Sequence, residues 1–212
     1  MLINQHDSLK ILKKYSIKYP KMVIFKDINF KSLKIKFPVA LKVDSNDVIH
    51  KSDMKLVKVN IVSLNELKSH LKTFRTIIRM HNIKHYKFIV QEMVSGQEII
   101  IGMKKDATFG NVLLFGIGGI FTEILNDISM KINPITKKDA NNMVNEIKAQ
   151  KLLDGYRGQK PVNREKIVEL LLKFSKLVTN ENFIDEIDFN PVIVNEKEAI
   201  VVDARLIRGK NV

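Results

Sequence analysis

The stretch Asp185-Glu186-Ile187-Asp188-Phe189-Asn190-Pro191, followed by Val202-Asp203-Ala204-Arg205, decides the reading of this chain. Residues two apart on a strand share a face, so Asp188 and Asn190 point the same way if the run is extended. A hairpin around Asn195-Glu196-Lys197-Glu198 turns the chain back and can bring Asp203 beside them. Two carboxylates and an amide oxygen form an all-oxygen donor set that suits Mg²⁺ holding phosphates. The same residues also spell an Asx turn at Asn190-Pro191 with surface acids around it, and the cluster alone leaves both readings open.

Upstream, Phe115-Gly116-Ile117-Gly118-Gly119-Ile120-Phe121 follows a β-rich run. Glycines let backbone N–H groups approach a phosphate and form an anion nest, although a tight turn uses the same residues. The spacing is neither a dinucleotide fingerprint nor a Walker loop. Gln91-Glu92-Met93-Val94-Ser95-Gly96-Gln97-Glu98 reads as strand, turn and strand. Such a hinge can offer backbone groups to an adenine edge with Glu98 near the ribose, or it can be a plain β-turn. Val39-Ala40-Leu41-Lys42-Val43 places Lys42 on a strand, where an ammonium can meet phosphate oxygens as a point charge. His50-Lys51-Ser52-Asp53 comes next; a neutral histidine can accept a phosphoryl group, though a lone loop histidine is more often a bystander.

Helical signals separate these runs. Ser8 caps a helix through Tyr15, and Ser63 with Glu66 forms a capping box before Leu67, Leu71, Phe74, Ile77 and Ile78. Thr136 with Asp139 repeats the box before a helix over Ala140 to Ala149, and Asn163 caps one from Arg164 to about Val178. Strands are expected at 22–25, 39–43, 87–91, 98–103, 112–115, 129–132, 186–189, 192–194 and 199–202. Helices and strands mix without strict alternation, which gives an α+β class. A division near Gln91 to Gly96 yields lobes of 1–92 and 93–212.

The 212 residues are 45% apolar and 28% charged, enough for a core and normal for a soluble domain. Cysteine is absent, so disulfides and thiolate metal sites are excluded. No apolar run reaches the roughly eighteen residues of a membrane span, and the N-terminus lacks a secretory layout. A cytoplasmic chain with no membrane role is expected. The net charge of +13 is spread from Lys10 to Lys210 rather than gathered in one patch, so a solvated surface is preferred to nucleic-acid binding.

Taken in order, these clusters resemble the ATP-grasp β subunit of ADP-forming acetyl-CoA (acyl-CoA) synthetases, relatives of succinyl-CoA synthetase. The resemblance is carried by Phe37-Pro38-Val39-Ala40-Leu41-Lys42, His50-Lys51-Ser52-Asp53, Gln91-Glu92-Met93-Val94 and Glu98-Ile99-Ile100-Ile101-Gly102. The glycine-rich run, Leu153-Asp154-Gly155-Tyr156-Arg157-Gly158, Asp188-Phe189-Asn190-Pro191-Val192 and Val202-Asp203-Ala204-Arg205 complete it. It implies an ATP-grasp fold, two α+β lobes with the nucleotide between them. It implies that Lys42 contacts phosphates, that Gln91, Glu92, Met93 and Val94 hold adenine with Glu98 nearby, and that Gly116, Gly118 and Gly119 line the phosphoryl path. Asn190 and Asp203 would bind Mg²⁺ with Asp188 close by, and His50 would act as a second phosphoryl carrier. The implied activity is that of an acid–thiol ligase converting acyl-CoA, ADP and phosphate to acid, ATP and CoA. The implied partner is a CoA-binding α subunit with the primary phosphohistidine, in an α2β2 assembly, because this chain lacks a CoA-binding fingerprint. One departure stands out: where the family commonly reads Ala-Gly-Gly after the histidine phrase, this chain has Met54-Lys55-Leu56. That opens a second reading, a nucleotide-binding regulatory or scaffolding subunit whose relay has decayed.

Overall fold

A computed structural model describes residues 1–27, 30, 33–45, 56–118, 126–155 and 160–209. The chain forms two compact units, one of Pro20–Met93 and the other of Met1–Tyr19 with Val94–Val212.

The smaller unit is a four-stranded antiparallel sheet ordered β1-β4-β2-β3. Its strands are β1 (Met22–Phe25), β2 (Val39–Asp44), β3 (Val57–Ile61) and β4 (Lys87–Glu92). Helix α2 (Leu64–Met80) begins at Ser63, whose hydroxyl accepts the Glu66 N–H at 3.2 Å. The Glu66 carboxylate reaches one residue past the cap, to the N–H of Val62 at 2.9 Å. Apolar residues at helical spacing, Leu67, Leu71, Phe74 and Ile78, pack with Val39, Leu41, Val43, Phe88 and Val90 of the sheet. Because strand side chains alternate, Ala40, Lys42, Ile89 and Gln91 fall on the sheet's other face.

The larger unit is built on a six-stranded sheet, β10-β8-β5-β6-β7, with β9 paired to β8. These strands are β5 (Gln97–Asp106), β6 (Gly110–Ile117), β7 (Ile128–Ile132), β8 (Ile184–Val194), β9 (Ala199–Val201) and β10 (Ala204–Arg208). Helices α3 (Lys137–Glu146) and α4 (Arg164–Asn180) contribute to its core together with α1 (Gln5–Lys14). Ile99, Ile101 and Met103 of β5 meet Leu171, Phe174 and Val178 of α4 in that core. Phe174 and Phe189 make an edge contact at 5.0 Å between ring centroids.

Several elements depart from their expected bounds. The first helix starts earlier, at Gln5, because the Asn4 side chain accepts the Asp7 N–H at 3.0 Å and so acts as the cap. Ser8 lies inside it, its hydroxyl donating back to Asn4 O at 3.0 Å. This helix packs in the larger unit: Leu12, Tyr15 and Ile17 enter its core, and Leu2 bridges to Ile207. Helix α3 ends at Glu146 rather than Ala149, since Ile147 turns extended and a 3₁₀ helix takes over at Lys148–Asp154. Strands β3 and β10 lie outside the expected set. The two strands expected at 186–189 and 192–194 are one continuous β8.

Candidate functional site

Strand β8 runs straight through Asn190-Pro191. Opposite it on β5, Ile101 pairs with Phe189 and Ile99 with Val192, so Asn190 and Pro191 together face Ile100. This is a β-bulge, a place where proline, which lacks the N–H a ladder needs, can stay within a sheet. The Asx-turn alternative is thereby replaced by an interrupted strand. Phe189 is wholly buried on the helix side, while Asp188 is half-buried and Asn190 exposed.

The return strand locks Asp203 to the bulge. The Asn190 N–H donates to Asp203 O at 3.2 Å, and Pro191 O accepts the N–H of Val202 at 3.0 Å and of Asp203 at 3.4 Å. The Asp203 carboxylate accepts the following Ala204 N–H at 3.1 Å. Asp188 pairs in register with Gly102 on one side and Arg205 on the other. Burial pushes the Asp188 carboxyl above its ordinary value, and the charge of Asp203 pushes it further, against the pull of Arg205. Two mutually repelling carboxylates beside an amide oxygen fit a divalent cation, whose charge relieves both. Among the described residues, no group of three or more His, Cys, Asp or Glu is gathered to hold a metal alone. Mg²⁺ at Asp188, Asn190 and Asp203 would therefore need further oxygens from phosphates and water, its usual habit.

The glycine-rich run leaves the end of β6. Gly118 N–H donates to Glu98 O at 2.9 Å, and a Cβ at Gly118 would stand 3.0 Å from Glu98 Cβ. A side chain at Gly118 would force Glu98 to give by a few tenths of an ångström, so the fold brings together two residues singled out from sequence, Glu98 and Gly118. Gly116 is equally tight, its imagined Cβ 3.1 Å from Asp127 O. Gly119 lies outside the described residues.

In the smaller unit, Lys42 pairs in register with Ile89, and Ala40 with Gln91, so Lys42 and Gln91 share the face opposite α2. Gln91 is buried and Lys42 half-buried. The Glu92 N–H donates to Lys21 O at 2.9 Å and the Met93 N–H to Pro38 O at 3.1 Å, so the chain itself uses both. The Glu92 carboxylate accepts the Lys36 N–H at 3.0 Å. The Met93 side chain is 39% exposed, and Val94 opens the other unit. His50 with Lys51, Ser52 and Asp53 lies outside the described residues, as does Tyr156-Arg157-Gly158. Leu56, the last residue of the departing triplet, is fully buried in the smaller core.

Sequence reasoning missed an apolar patch on the face of the larger sheet opposite Ile99 and Ile101. A broad depression of about 780 Å³ there is floored by Ile100, Gly102, Leu114, Met130 and Ile132, with Asp188 at its edge. The signal was the run Ile99-Ile100-Ile101, apolar on both faces of one strand.

The chain belongs to the ATP-grasp domain family, whose match spans residues 1–207. Within it, the chain groups with β subunits of ADP-forming acetate–CoA ligases. The β subunit of acetate–CoA ligase [ADP-forming] II from Pyrococcus furiosus is 41% identical, over 96% of this chain and 90% of its own length. A solved dinucleotide-forming acetyl-coenzyme A synthetase 1 of Ca. Korarchaeum cryptofilum, in complex with coenzyme A, Ca-AMPCP and HgCl⁺, superposes with a TM-score of 0.92. It is 35% identical, covering 98% of this chain and 93% of that one. The same enzyme with coenzyme A and Mg-AMPPCP, its phosphohistidine segment pointing towards the nucleotide-binding site, gives 0.83 at 36% identity, with the same coverage. No helix among the described residues is long and apolar enough to cross a membrane.

Proposed function

We propose that this chain is the nucleotide-binding subunit of an ADP-forming acyl-CoA synthetase, passing a phosphoryl group between a phosphohistidine of a CoA-binding partner subunit and ADP. The observation that carries this reading is the tie between Asn190 and Asp203, with Asp188 raised beside them. In the transfer, the phosphohistidine N–P bond breaks and a P–O bond forms to the terminal phosphate of ADP; the overall reaction turns acyl-CoA, ADP and phosphate into acid, ATP and CoA. Phosphoryl transfer needs positioning and charge neutralisation more than covalent work by the protein.

Asp188, Asn190 and Asp203 hold Mg²⁺, which when bound neutralises phosphate charge. Lys42 adds a second positive charge against the phosphates. Gln91 to Val94 receive adenine, using carbonyls and the Val94 N–H, since the Glu92 and Met93 N–H groups are already engaged. Glu98 lies near the ribose, Gly116, Gly118 and Gly119 line the phosphoryl path, and His50 serves as the intermediate carrier. The partner is an α subunit with the primary phosphohistidine, assembled as α2β2, and supplies the CoA site.

Leu56 favours a second reading. Its buried side chain, and its carbonyl accepting the Val43 N–H at 3.2 Å, tether the end of the histidine segment where the family commonly has glycine. A chain so tethered would bind nucleotide without relaying phosphate. Incubating the complex with γ-labelled ATP separates the two readings. Acid-labile label on this chain that is lost in His50→Ala supports the relay; nucleotide binding without label supports the regulatory subunit.

A further inference from the structure

Asp127 stands six residues after the glycine-rich run, immediately before β7. It is 8% exposed, and both carboxylate oxygens are used: Oδ1 accepts the Lys148 N–H at 2.8 Å and Oδ2 the Ala149 N–H at 2.6 Å. These amides open the 3₁₀ helix Lys148–Asp154, whose own N-cap, Ile147, makes no side-chain bond. Hydrogen bonds to a carboxylate are charge-assisted, and leaving such a buried group unpaired is costly.

The main chain of the same residue lies against the end of β6, its carbonyl 3.1 Å from where a Gly116 Cβ would lie. Gly116 pairs in register with Ile128, the residue after Asp127 and the first of β7. Arg164 ties the first turn of the 3₁₀ helix to its last residue, donating to Gln150 O at 3.0 Å and to the Asp154 carboxylate at 2.8 Å. Asp127 thus contacts both the end of β6 at Gly116 and the start of this helix.

We infer that Asp127 is a positioning residue for phosphoryl transfer, holding Gly116 at the end of β6 against the 3₁₀ helix so that Gly116 keeps its place beside the phosphates. This rests on the role proposed for the loop. Transfer depends steeply on placement, and a misplacement near 1 Å can cost about a hundredfold. An ordinary cap would affect stability alone.

The test uses the complex with the partner subunit. In Asp127→Asn the amide keeps one acceptor oxygen but turns an NH₂ toward the second N–H, so one bond is lost. The kcat for ATP formation should fall about tenfold or more while KM for ADP stays within about twofold. Asp139→Asn, which weakens the Thr136–Asp139 box at the start of α3, should destabilise the chain yet keep kcat. Gly116→Ala should push on Asp127 O and lower kcat too, and the double variant should lose less than the product of the single losses. If Asp127→Asn does not fold, Lys148→Pro, which removes the N–H that Asp127 Oδ1 accepts and leaves the carboxylate in place, carries the test. Wild-type kcat in Asp127→Asn, or in Lys148→Pro where that stands alone, overturns the inference. So does a loss no greater than in Asp139→Asn at equal destabilisation. A wild-type complex that forms no ATP overturns the functional reading itself, and the inference with it.

Discussion

The Asn190 N–H and the Asp203 carbonyl, 3.2 Å apart, join a bulged strand to the corner that returns beside it. The bond fixes the spacing of two metal-binding candidates through main chain alone, so side-chain variants at either position should leave the fold intact. Function and stability can then be probed separately.

Gly118→Ala should disturb both. Its new methyl would stand 3.0 Å from Glu98 Cβ and 3.2 Å from Glu98 C, so β5 or the loop must move. A loss of about 1–3 kcal/mol is expected from such overpacking, together with weaker nucleotide binding. Urea unfolding checks the first and nucleotide titration the second.

Phe174→Ala should cost about 3–5 kcal/mol, as removal of a fully buried ring does. Phe174 meets Phe189, which sits between Asp188 and Asn190, so the loss should also loosen the metal-binding strand. A midpoint shift in denaturant with an unchanged slope would mark a stability change without a change of state.

Glu181 makes stability depend on pH. Burial alone would raise its carboxyl, but Lys14 Nζ and Tyr15 Oη, each at 2.7 Å, outweigh it and hold the group below the ordinary value. A lowered folded-state value means the contribution is complete above the unfolded value and is lost as pH falls through the folded one. The unfolding free energy should therefore decline below about pH 5. In Glu181→Gln that decline should be shallower, as acid titration followed by circular dichroism can measure.

Leu56→Ala should cost about 2–5 kcal/mol, because the side chain is fully buried among Val43, Ile61 and Phe88. Native-state hydrogen exchange would report whether the preceding residues open more readily. If phosphohistidine labelling also rises, Leu56 restrains the relay.

Much of this was legible in the sequence for identifiable reasons. Capping residues located α2, α3 and α4, and alternation located most strands, because those signals are local. Asn4 displaced Ser8 as the first cap because both are favoured N-cap residues, and Asn4 meets the Asp7 N–H one turn earlier. Helix α3 stopped short of Ala149 because Asp127, distant in sequence, supplies a competing acceptor for the Lys148 and Ala149 amides. Strand β10 went unrecognised because Ala204-Arg205-Leu206-Ile207-Arg208 is short and carries charge, and its register with β8 supplies what its composition does not. The bulge escaped notice because Asn-Pro normally signals a turn. At the site, chemistry-bearing side chains could be named from their types and order. The close approach of Gly118 to Glu98 and the role of Asp127 depend on packing.

The most direct measurement is thermal unfolding with and without Mg–ATP in wild type, Asn190→Ala and Asp203→Ala. Nucleotide at about a hundred times its Kd should stabilise wild type by about 2.7 kcal/mol, a rise of about 5–10 °C for a chain this size. The two variants should unfold near the wild-type temperature without ligand and lose most of the rise with it. No rise in wild type, or an equal rise in all three proteins, would contradict a Mg²⁺–nucleotide site at Asn190 and Asp203.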